Sequence, residues 1–443
     1  MMALDFEKMA QIRAAADRAC TRRSFLTGGL KVAAGVALGG VAGAGLAGCG
    51  SDGTATTTSA GGSGATQAGA DATLGPISEI GLSLTEDPRI LTAAEEALGF
   101  KVNGRADGLG NQLTFWLQNY KQFDINQVNF SQNGALAATL RPIAVADIPA
   151  WNDQVIDLFR TPGVPGYSDK SGWPIAGTYT SQAVQSEKYD EFIGVPTWFG
   201  FDAFGYVVDK TAGDVTSYGA IFDPGNKGKS TLLNEPITSV MKIATYLQGT
   251  NQYSFTGALN NLTPEDLDIC FQFLGEHKAK GQFRLFWSDF GQLVGLLTAG
   301  EIVVGDFWAS ACAAANKAGA NVRFVNDPAE GSNGWIQGAT ISAETKNYEA
   351  ATKFINWYLE SGIPGSILGV QGYYSPRPDT CKPILEAQST TVDGINDWDY
   401  WYQGAKPEER PSLDERLPHV ADWQSYPDEY ERYAGLWTQF VAS

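Results

Sequence analysis

The sequence predicts an α/β protein with mostly parallel strand pairing, divided into two lobes. From about residue 76 onward, apolar runs typical of buried strands alternate with capped helical segments. The chain has 443 residues, of which 43% are hydrophobic and 12% aromatic, so it can bury a sizeable core. Because one sheet spanning that length would be unusually large, two lobes are expected rather than one.

The first 48 residues predict a bacterial export signal that takes no part in the fold. Arg22 and Arg23 form a twin-arginine pattern, and a Gly- and Ala-rich run follows that is too weakly apolar for a membrane span. Leu46-Ala47-Gly48-Cys49 resembles a lipobox, which makes Cys49 the predicted lipidation site; the alternative is an incidental cysteine behind small residues. Residues 49–75, rich in Gly, Ser, Thr and Ala, predict a flexible linker that tethers the protein to a membrane.

Composition argues against several classes of function. A net formal charge of −18 disfavours nucleic-acid binding. Only two histidines are present, His277 and His419, and neither lies in a metal-binding or catalytic-triad pattern, so we expect no metal site and no cofactor. An exported enzyme remains an alternative class, because no spacing singles out or dismisses a carboxylate pair for glycoside chemistry. Besides the predicted lipidation site Cys49, three cysteines lie outside the leader. They permit at most one disulfide and show no metal-ligand spacing: Cys270, Cys312 and Cys381.

The secondary structure can be assigned in chain order from periodicity and capping residues. Residues 77–84 predict the first strand, and residues 88–98 predict a helix that begins with Pro88 and ends before Gly99. Thr263-Pro264 predicts another helix start. Further strands are expected at residues 100–103, 124–129, 192–196, 204–208, 230–233, 302–306 and 322–325, and further helices at 109–121, 148–160, from 236, 288–297, 348–359 and 427–441.

Large aromatic residues stand where two predicted strands begin or end. Trp308 follows the strand at residues 302–306, and Trp335 opens the strand that comes after residues 322–325. Aromatic side chains at strand ends, outside any amphipathic stripe, fit a cleft that receives a small ligand. The alternative for either residue is ordinary core packing.

Four passages resemble, in order and spacing, the spermidine/putrescine-binding type of extracytoplasmic substrate-binding proteins of ABC importers. They are GVPTWFGFDAFGYVV ending at Val208, KGKSTLL at residues 227–233, AGEIVVG at 299–305 followed by Trp308, and WIQ at 335–337. The resemblance implies a type II periplasmic-binding-protein-like fold, with a ligand cleft between two lobes joined by crossing strands. When the family's lobe division is transferred to this sequence, lobe 1 comprises residues 76–209 and 335–379, and lobe 2 comprises residues 210–334 and 380–443.

The resemblance also implies site residues. Trp308 and Trp335 match two aromatic ligand contacts of the family, and Phe199 lies beside Trp198 in the matching loop, expected at residues 197–203. Gln337 stands where the family places an amine-binding Asp. Two further acidic positions fall on Pro236 and Ser239, with Glu235 nearby, and the remaining candidates are Asp202, Trp287, Asp289 and Tyr373.

These features together predict a solute receptor rather than an enzyme. We expect a lipid-anchored, extracytoplasmic monomer that presents a small organic solute to an ABC permease. A polyamine such as spermidine or putrescine is favoured by the resemblance. A sugar or an amino-acid derivative stays open, because Gln337 can accept a hydrogen bond but brings no charge to an ammonium group.

Overall fold

The computed structural model describes residues 74–389 and 393–443. Within them, fourteen strands are found at Ile77–Gly81 (β1), Val102–Ala106 (β2), Ile125–Asn129 (β3), Leu140–Arg141 (β4), Ile143–Ala144 (β5), Glu191–Phe192 (β6), Val195–Asp202 (β7), Phe204–Val207 (β8), Ser230–Leu233 (β9), Phe283–Trp287 (β10), Val304–Gly305 (β11), Val322–Val325 (β12), Ser332–Ser342 (β13) and Val420–Trp423 (β14).

Sixteen α-helices lie in the same described ranges. They are Pro88–Leu98 (α1), Leu109–Asn119 (α2), Asn133–Leu136 (α3), Ile175–Thr178 (α4), Ser181–Gln185 (α5), Gly219–Phe222 (α6), Pro236–Gly249 (α7), Pro264–Ala279 (α8), Phe290–Ala299 (α9), Ala309–Lys317 (α10), Tyr348–Glu360 (α11), Ile363–Gly369 (α12), Pro378–Ala387 (α13), Asp397–Trp401 (α14), Leu413–Arg416 (α15) and Tyr430–Ala442 (α16). None of these helices combines the length and apolar character that crossing a membrane requires.

Two mixed sheets organise the fold. The first has the order β14-β13-β3-β1-β2, with β4 and β7 also paired to β13. The second has the order β10-β9-β11-β8-β12. Strands β1, β2 and β3 are mutually parallel, as are β9, β10 and β11, whereas β13 and β8 run antiparallel to their main neighbours. The predicted α/β class is therefore confirmed, although the pairing is mixed.

The chain crosses between the two sheets at three places. Strand β7 of the first sheet continues through Ala203 into β8 of the second. The chain returns between β12 and β13, and it leaves the first sheet again after β14 to form α16, which packs on α7 and α8. Strand β13 is buried along all eleven residues because it pairs on both edges at the centre of its sheet.

The C-terminal segment departs from the expectation that residues 380–443 pack mainly on lobe 2. Cys381, Trp398 and Trp423 belong to the core of the first sheet, and β14 pairs with β13. Within the described residues of this segment, the buried side chains that join the core of the second sheet all lie on α16, namely Tyr433, Trp437 and Phe440. The apolar side chains alternate with charged residues in this segment, so sequence periodicity alone did not show which core they join.

Helix starts that rest on capping chemistry are confirmed. Asp87 accepts a hydrogen bond from the Arg89 amide at 2.8 Å at the start of α1, and Thr263 accepts one from the Asp266 amide at 3.2 Å at the start of α8. The helix expected at residues 148–160 is wrong. That segment forms turns and a short 3₁₀ helix, because the Asn152 side chain caps the Gln154 amide locally at 3.0 Å.

The three cysteines outside the leader are free and buried. Burial raises the pKa of each thiol, to about 11 for Cys381. They behave as core residues. The twin-arginine pattern, the lipobox Cys49 and most of the linker lie outside the described residues.

Candidate ligand-binding site

A cavity of about 730 Å³, part of it open to solvent, is lined by residues of both sheets and of the C-terminal segment. Leu82, Trp198 and Trp335 come from the first sheet and its turns, whereas Leu233 and Trp308 come from the second. A partly open cleft between two sheets, lined largely by apolar and aromatic side chains, is the kind of place where small organic molecules bind. Of the ten predicted ligand contacts, the structure brings six to this cavity: Trp198, Asp202, Trp308, Trp335, Gln337 and Tyr373.

Three aromatic rings form one wall. The Trp198 ring lies edge-on to Trp335 at 5.1 Å and to Tyr373 at 5.0 Å, and Trp335 and Tyr373 are 5.3 Å apart, each measured between ring centroids. Gly200, which faces Trp335 across the β7–β13 pair, leaves the space that the indole fills, since a Cβ there would lie 2.4 Å from the ring. The Tyr373 hydroxyl is 3.1 Å from Ser310 Oγ, which links this wall to the start of α10.

The loop expected at residues 197–203 is wrong, because β7 runs through Asp202. Successive side chains of a strand point to opposite faces, and this alternation separates the two candidates in it. Trp198 faces the cavity, whereas Phe199 is fully buried against Phe159 and Tyr374 in the core of the first sheet. The predicted ligand role of Phe199 is therefore wrong.

The second sheet contributes Trp308, which is partly exposed and lies edge-on to Trp287 with centroids 4.9 Å apart. Trp287 is fully buried, and its Nε1 donates a hydrogen bond to the Asp306 carbonyl at 2.8 Å. Trp287 does not line the cavity, so the structure does not bring it to the other candidate contacts. Its role is to support the Trp308 ring from behind.

Two predicted acidic contacts are helix caps instead. Glu235 accepts hydrogen bonds from the amides of Ile237 at 3.2 Å and Thr238 at 2.7 Å at the start of α7. Asp289 accepts one from the Gln292 amide at 2.9 Å at the start of α9. Neither lines the cavity, so the structure assigns both a capping position and does not bring them to the other candidates.

Asp202 lines the cavity, but its carboxylate is already occupied. Its Oδ2 accepts hydrogen bonds from Gln424 Nε2 at 2.8 Å and from Lys242 Nζ at 3.4 Å. Lys242 is 1% exposed and also pairs with Asp306 Oδ1 at 2.7 Å. Burial opposes the charge on Lys242, yet the two carboxylates together raise its pKa, while burial raises the pKa of Asp306 to about 6 against the attraction of Lys242.

Gln337 lies at the centre of β13, opposite Trp198, and is almost fully buried. Its Nε2 donates to the Gln127 carbonyl at 3.2 Å, which fixes the amide at the cavity wall. This position therefore presents an amide to the cavity and not a carboxylate.

Among the cavity residues that the sequence analysis missed are two arginines, Arg410 and Arg416. Both are 2% exposed although they lie in a charged, Pro-containing stretch. Such a stretch is typical of a solvated surface turn, and no spacing in it signals burial. Tyr374 lies between the two arginines, and its hydroxyl accepts hydrogen bonds from Arg410 Nη2 at 2.9 Å and Arg416 Nη1 at 3.1 Å.

A sequence profile described as bacterial extracellular solute-binding protein matches residues 101–381, more than half of the chain. The protein belongs to this family. The spermidine/putrescine-binding periplasmic protein of Escherichia coli is 28% identical over 163 residues, which is 37% of this chain and 43% of that protein. The chain thus aligns with less than half the length of this relative.

Solved structures extend the similarity of this solute-binding protein to most of its length. The spermidine/putrescine ABC transporter substrate-binding protein PotD of Streptococcus pneumoniae superposes with a TM-score of 0.57 at 18% identity, covering 83% of this chain and 98% of that one. AgtB of Agrobacterium tumefaciens, solved in complex with agropinic acid, gives 0.53 at 16% identity and covers 83% and 99%. This likeness confirms the predicted two-lobed periplasmic-binding-protein fold.

Proposed function

We propose that this solute-binding protein captures a small organic solute in the cavity between its two sheets and delivers it to an ABC permease. The observation that carries this proposal is the joint placement of Trp335, from the first sheet, and Trp308, from the second, on one cavity. Crossing strands connect the two sheets, so closure around a solute would bring both rings onto it. This capture needs no covalent chemistry, and we propose no enzymatic role.

The proposal places the protein on the outer face of the membrane as a monomer. The twin-arginine pattern and the lipobox ending at Cys49 support export and lipid anchoring. The lobe boundaries belong to the same proposal, with lobe 1 formed by the first sheet and lobe 2 by residues 210–334 together with α16.

Two ligand classes compete for the cavity. The names of the relatives favour a polyamine, whose alkyl chain would pack on Trp198, Trp335 and Tyr373 while its ammonium groups gain cation–π attraction. The charges of the cavity favour an amino-acid derivative or another organic acid, because Asp202 is already paired with Lys242. The structure of AgtB, which shares the fold, holds agropinic acid, and this supports an acid as a candidate.

Trp335→Ala and Trp308→Ala should each weaken solute capture about 10- to 100-fold, because a ring contact with a ligand contributes about 1–3 kcal/mol. A thermal-shift panel of spermidine, putrescine, sugars and amino acids first identifies a stabilising solute, and calorimetry then gives its Kd for each variant.

Trp398→Ala is the matched control for the two tryptophan variants. Trp398 is as buried as Trp335 but packs on Tyr402 away from the cavity, so this change should lower stability without a comparable loss of affinity. Unchanged affinity in both cavity variants, or a panel in which no solute raises the melting temperature, would count against the proposal.

A further inference from the structure

We propose that the solute carries a carboxylate and that Arg410 and Arg416 hold it. This inference rests on the proposed function, solute capture, and adds the chemical class of the solute. It starts from the charges that line the cavity, which within the described residues are two guanidinium groups and one carboxylate.

The single carboxylate is already paired. Asp202 pairs with Lys242, and Lys242 pairs in turn with Asp306, so these three groups carry one net negative charge when both acids are ionised, against two positive charges on the arginines. Across residues 74–389 and 393–443, neither Arg410 nor Arg416 forms an ion pair with a carboxylate. The lining therefore carries an excess of positive charge, which would repel the ammonium groups of a polyamine.

The hydrogen bonds of the two arginines go to uncharged groups, so an anionic partner is missing. Arg410 donates to neutral acceptors alone: the Gly372 carbonyl at 2.7 Å, Asn326 Oδ1 at 3.1 Å, the Trp401 carbonyl at 3.3 Å and the Tyr374 hydroxyl. Arg416 donates to the Tyr374 hydroxyl, and its buried Nε has no hydrogen-bond partner among the described residues. A buried guanidinium without an anion is costly, so an anionic ligand is the expected complement.

An indole N–H group in the same cavity also favours a ligand with acceptor oxygens. Trp198 Nε1 is buried and finds no hydrogen-bond partner in the part of the chain that the structure describes, although the ring lines the cavity. Unpaired indole and guanidinium N–H groups both need acceptor oxygens. A carboxylate is acceptor-only and matches the planar fork of arginine with two parallel hydrogen bonds, whereas a polyamine would bring only further donors.

The aromatic wall supplies the remaining specificity. Trp198, Trp335 and Tyr373 present ring faces and edges on which a carbon skeleton can pack. The cavity thus combines an apolar wall with a cationic end, which fits an organic acid better than inorganic phosphate.

A matched series of four-carbon solutes tests the inference on the full-length protein. Succinate, 4-aminobutanoate and putrescine share one carbon chain and carry two, one and no carboxylates. Calorimetric titration with these three, and with glutamate, citrate and spermidine, should show that an acid binds at least about tenfold more tightly than either polyamine. A polyamine as the tightest solute, or no binding by any acid at millimolar concentration, overturns the inference.

Arginine variants link the effect to the site. Arg416→Gln should weaken acid binding at least about tenfold without weakening putrescine binding. Arg416→Lys keeps the positive charge but loses the planar guanidinium group, so it should retain part of the acid affinity that Arg416→Gln loses. Arg377→Gln is the matched control, because Arg377 is also buried but lies outside the cavity. An unchanged ratio of acid to diamine affinity in Arg416→Gln overturns the assignment of this residue.

The outcomes also separate this inference from the proposed function. Capture of a polyamine or a sugar would overturn the carboxylate assignment and leave solute capture intact, whereas binding of no solute in any class would overturn both. If Arg416→Gln does not fold, as judged by circular dichroism, the ratio of acid affinity to diamine affinity in the unaltered protein still tests whether the solute carries a carboxylate.

Discussion

Replacing Lys242 with methionine should lower the free energy of unfolding by about 3–5 kcal/mol. Lys242 is the cation between Asp202, at the end of β7, and Asp306, which directly follows β11. Its removal leaves two carboxylates in a buried site with no compensating charge, and the removed side chain is itself 1% exposed. Urea denaturation at neutral pH measures the change.

The cost of this substitution should depend on pH in a defined direction. Burial already raises the pKa of Asp306 to about 6, from an ordinary value of 3.8. Without Lys242 the folded state favours the protonated carboxyl still more, so the destabilisation is small at low pH and grows as the pH rises through about 6. Unfolding curves of the variant at about pH 4.5 and about pH 8 test this sign.

Lys353→Met is the matched control, because Lys353 forms an exposed i,i+4 pair with Glu349 on α11. Exposed pairs contribute little, so its effect should stay below about 0.5 kcal/mol. A loss of under about 1 kcal/mol for Lys242→Met would show that the triad does not stabilise the crossing between the sheets.

Local sequence signals predicted the parts of the fold that local chemistry determines. Asp87 and Thr263 cap helices at the expected positions, and β9 and β12 have the expected bounds because each is a short apolar run with clear limits. Strand β7 escaped prediction because its aromatic and glycine residues resemble a loop. Gly200 is required there by the Trp335 ring, a contact 135 residues away in sequence that no local pattern shows.

The site was predictable mainly in its aromatic part, together with Asp202 and Gln337. Trp308 and Trp335 stand at strand ends, where the sequence makes them conspicuous, and both line the cavity. Arg410 and Arg416 reach it because the C-terminal segment folds back onto the first sheet, which no periodicity indicated. Glu235 and Asp289 looked like ligand contacts because a carboxylate before a helix has the same sequence signature whether it binds a ligand or caps the helix.

Removing the charge of a buried acidic pair should make the protein more stable at alkaline pH. Glu79 on β1 is fully buried, and Glu86 lies in the turn that follows. Burial and then the charge of Glu86 raise the pKa of Glu79 well above its usual value, and burial raises the pKa of Glu86 to about 8. Both carboxyl groups are therefore favoured in the protonated form in the folded state.

The sign of the pH dependence follows from these shifts. The unfolded chain releases its protons near pH 4.5, the ordinary value for Glu, whereas the folded chain retains them up to about pH 8. The stabilisation is thus complete below about pH 4.5 and is lost as the pH rises through about 8. Glu86→Gln and Glu79→Gln keep the side-chain shape and remove the titration. Glu86→Gln should raise the free energy of unfolding by about 3–5 kcal/mol above pH 8, with little change at pH 4.5, and Glu79→Gln should change it in the same direction.

Glu96→Gln on the exposed side of α1 serves as the control and should leave the pH dependence unaltered. Parallel stability profiles for the unaltered protein and both buried variants would contradict the assignment. The turn between the two acids is closed by hydrogen bonds from the Thr85 and Glu86 amides to the Leu82 carbonyl, at 3.0 and 2.9 Å, and it carries Leu82 and Leu84 into the cavity. Because ionisation of the pair would strain this turn, solute affinity should decline together with stability at high pH, and Glu86→Gln should remove both declines.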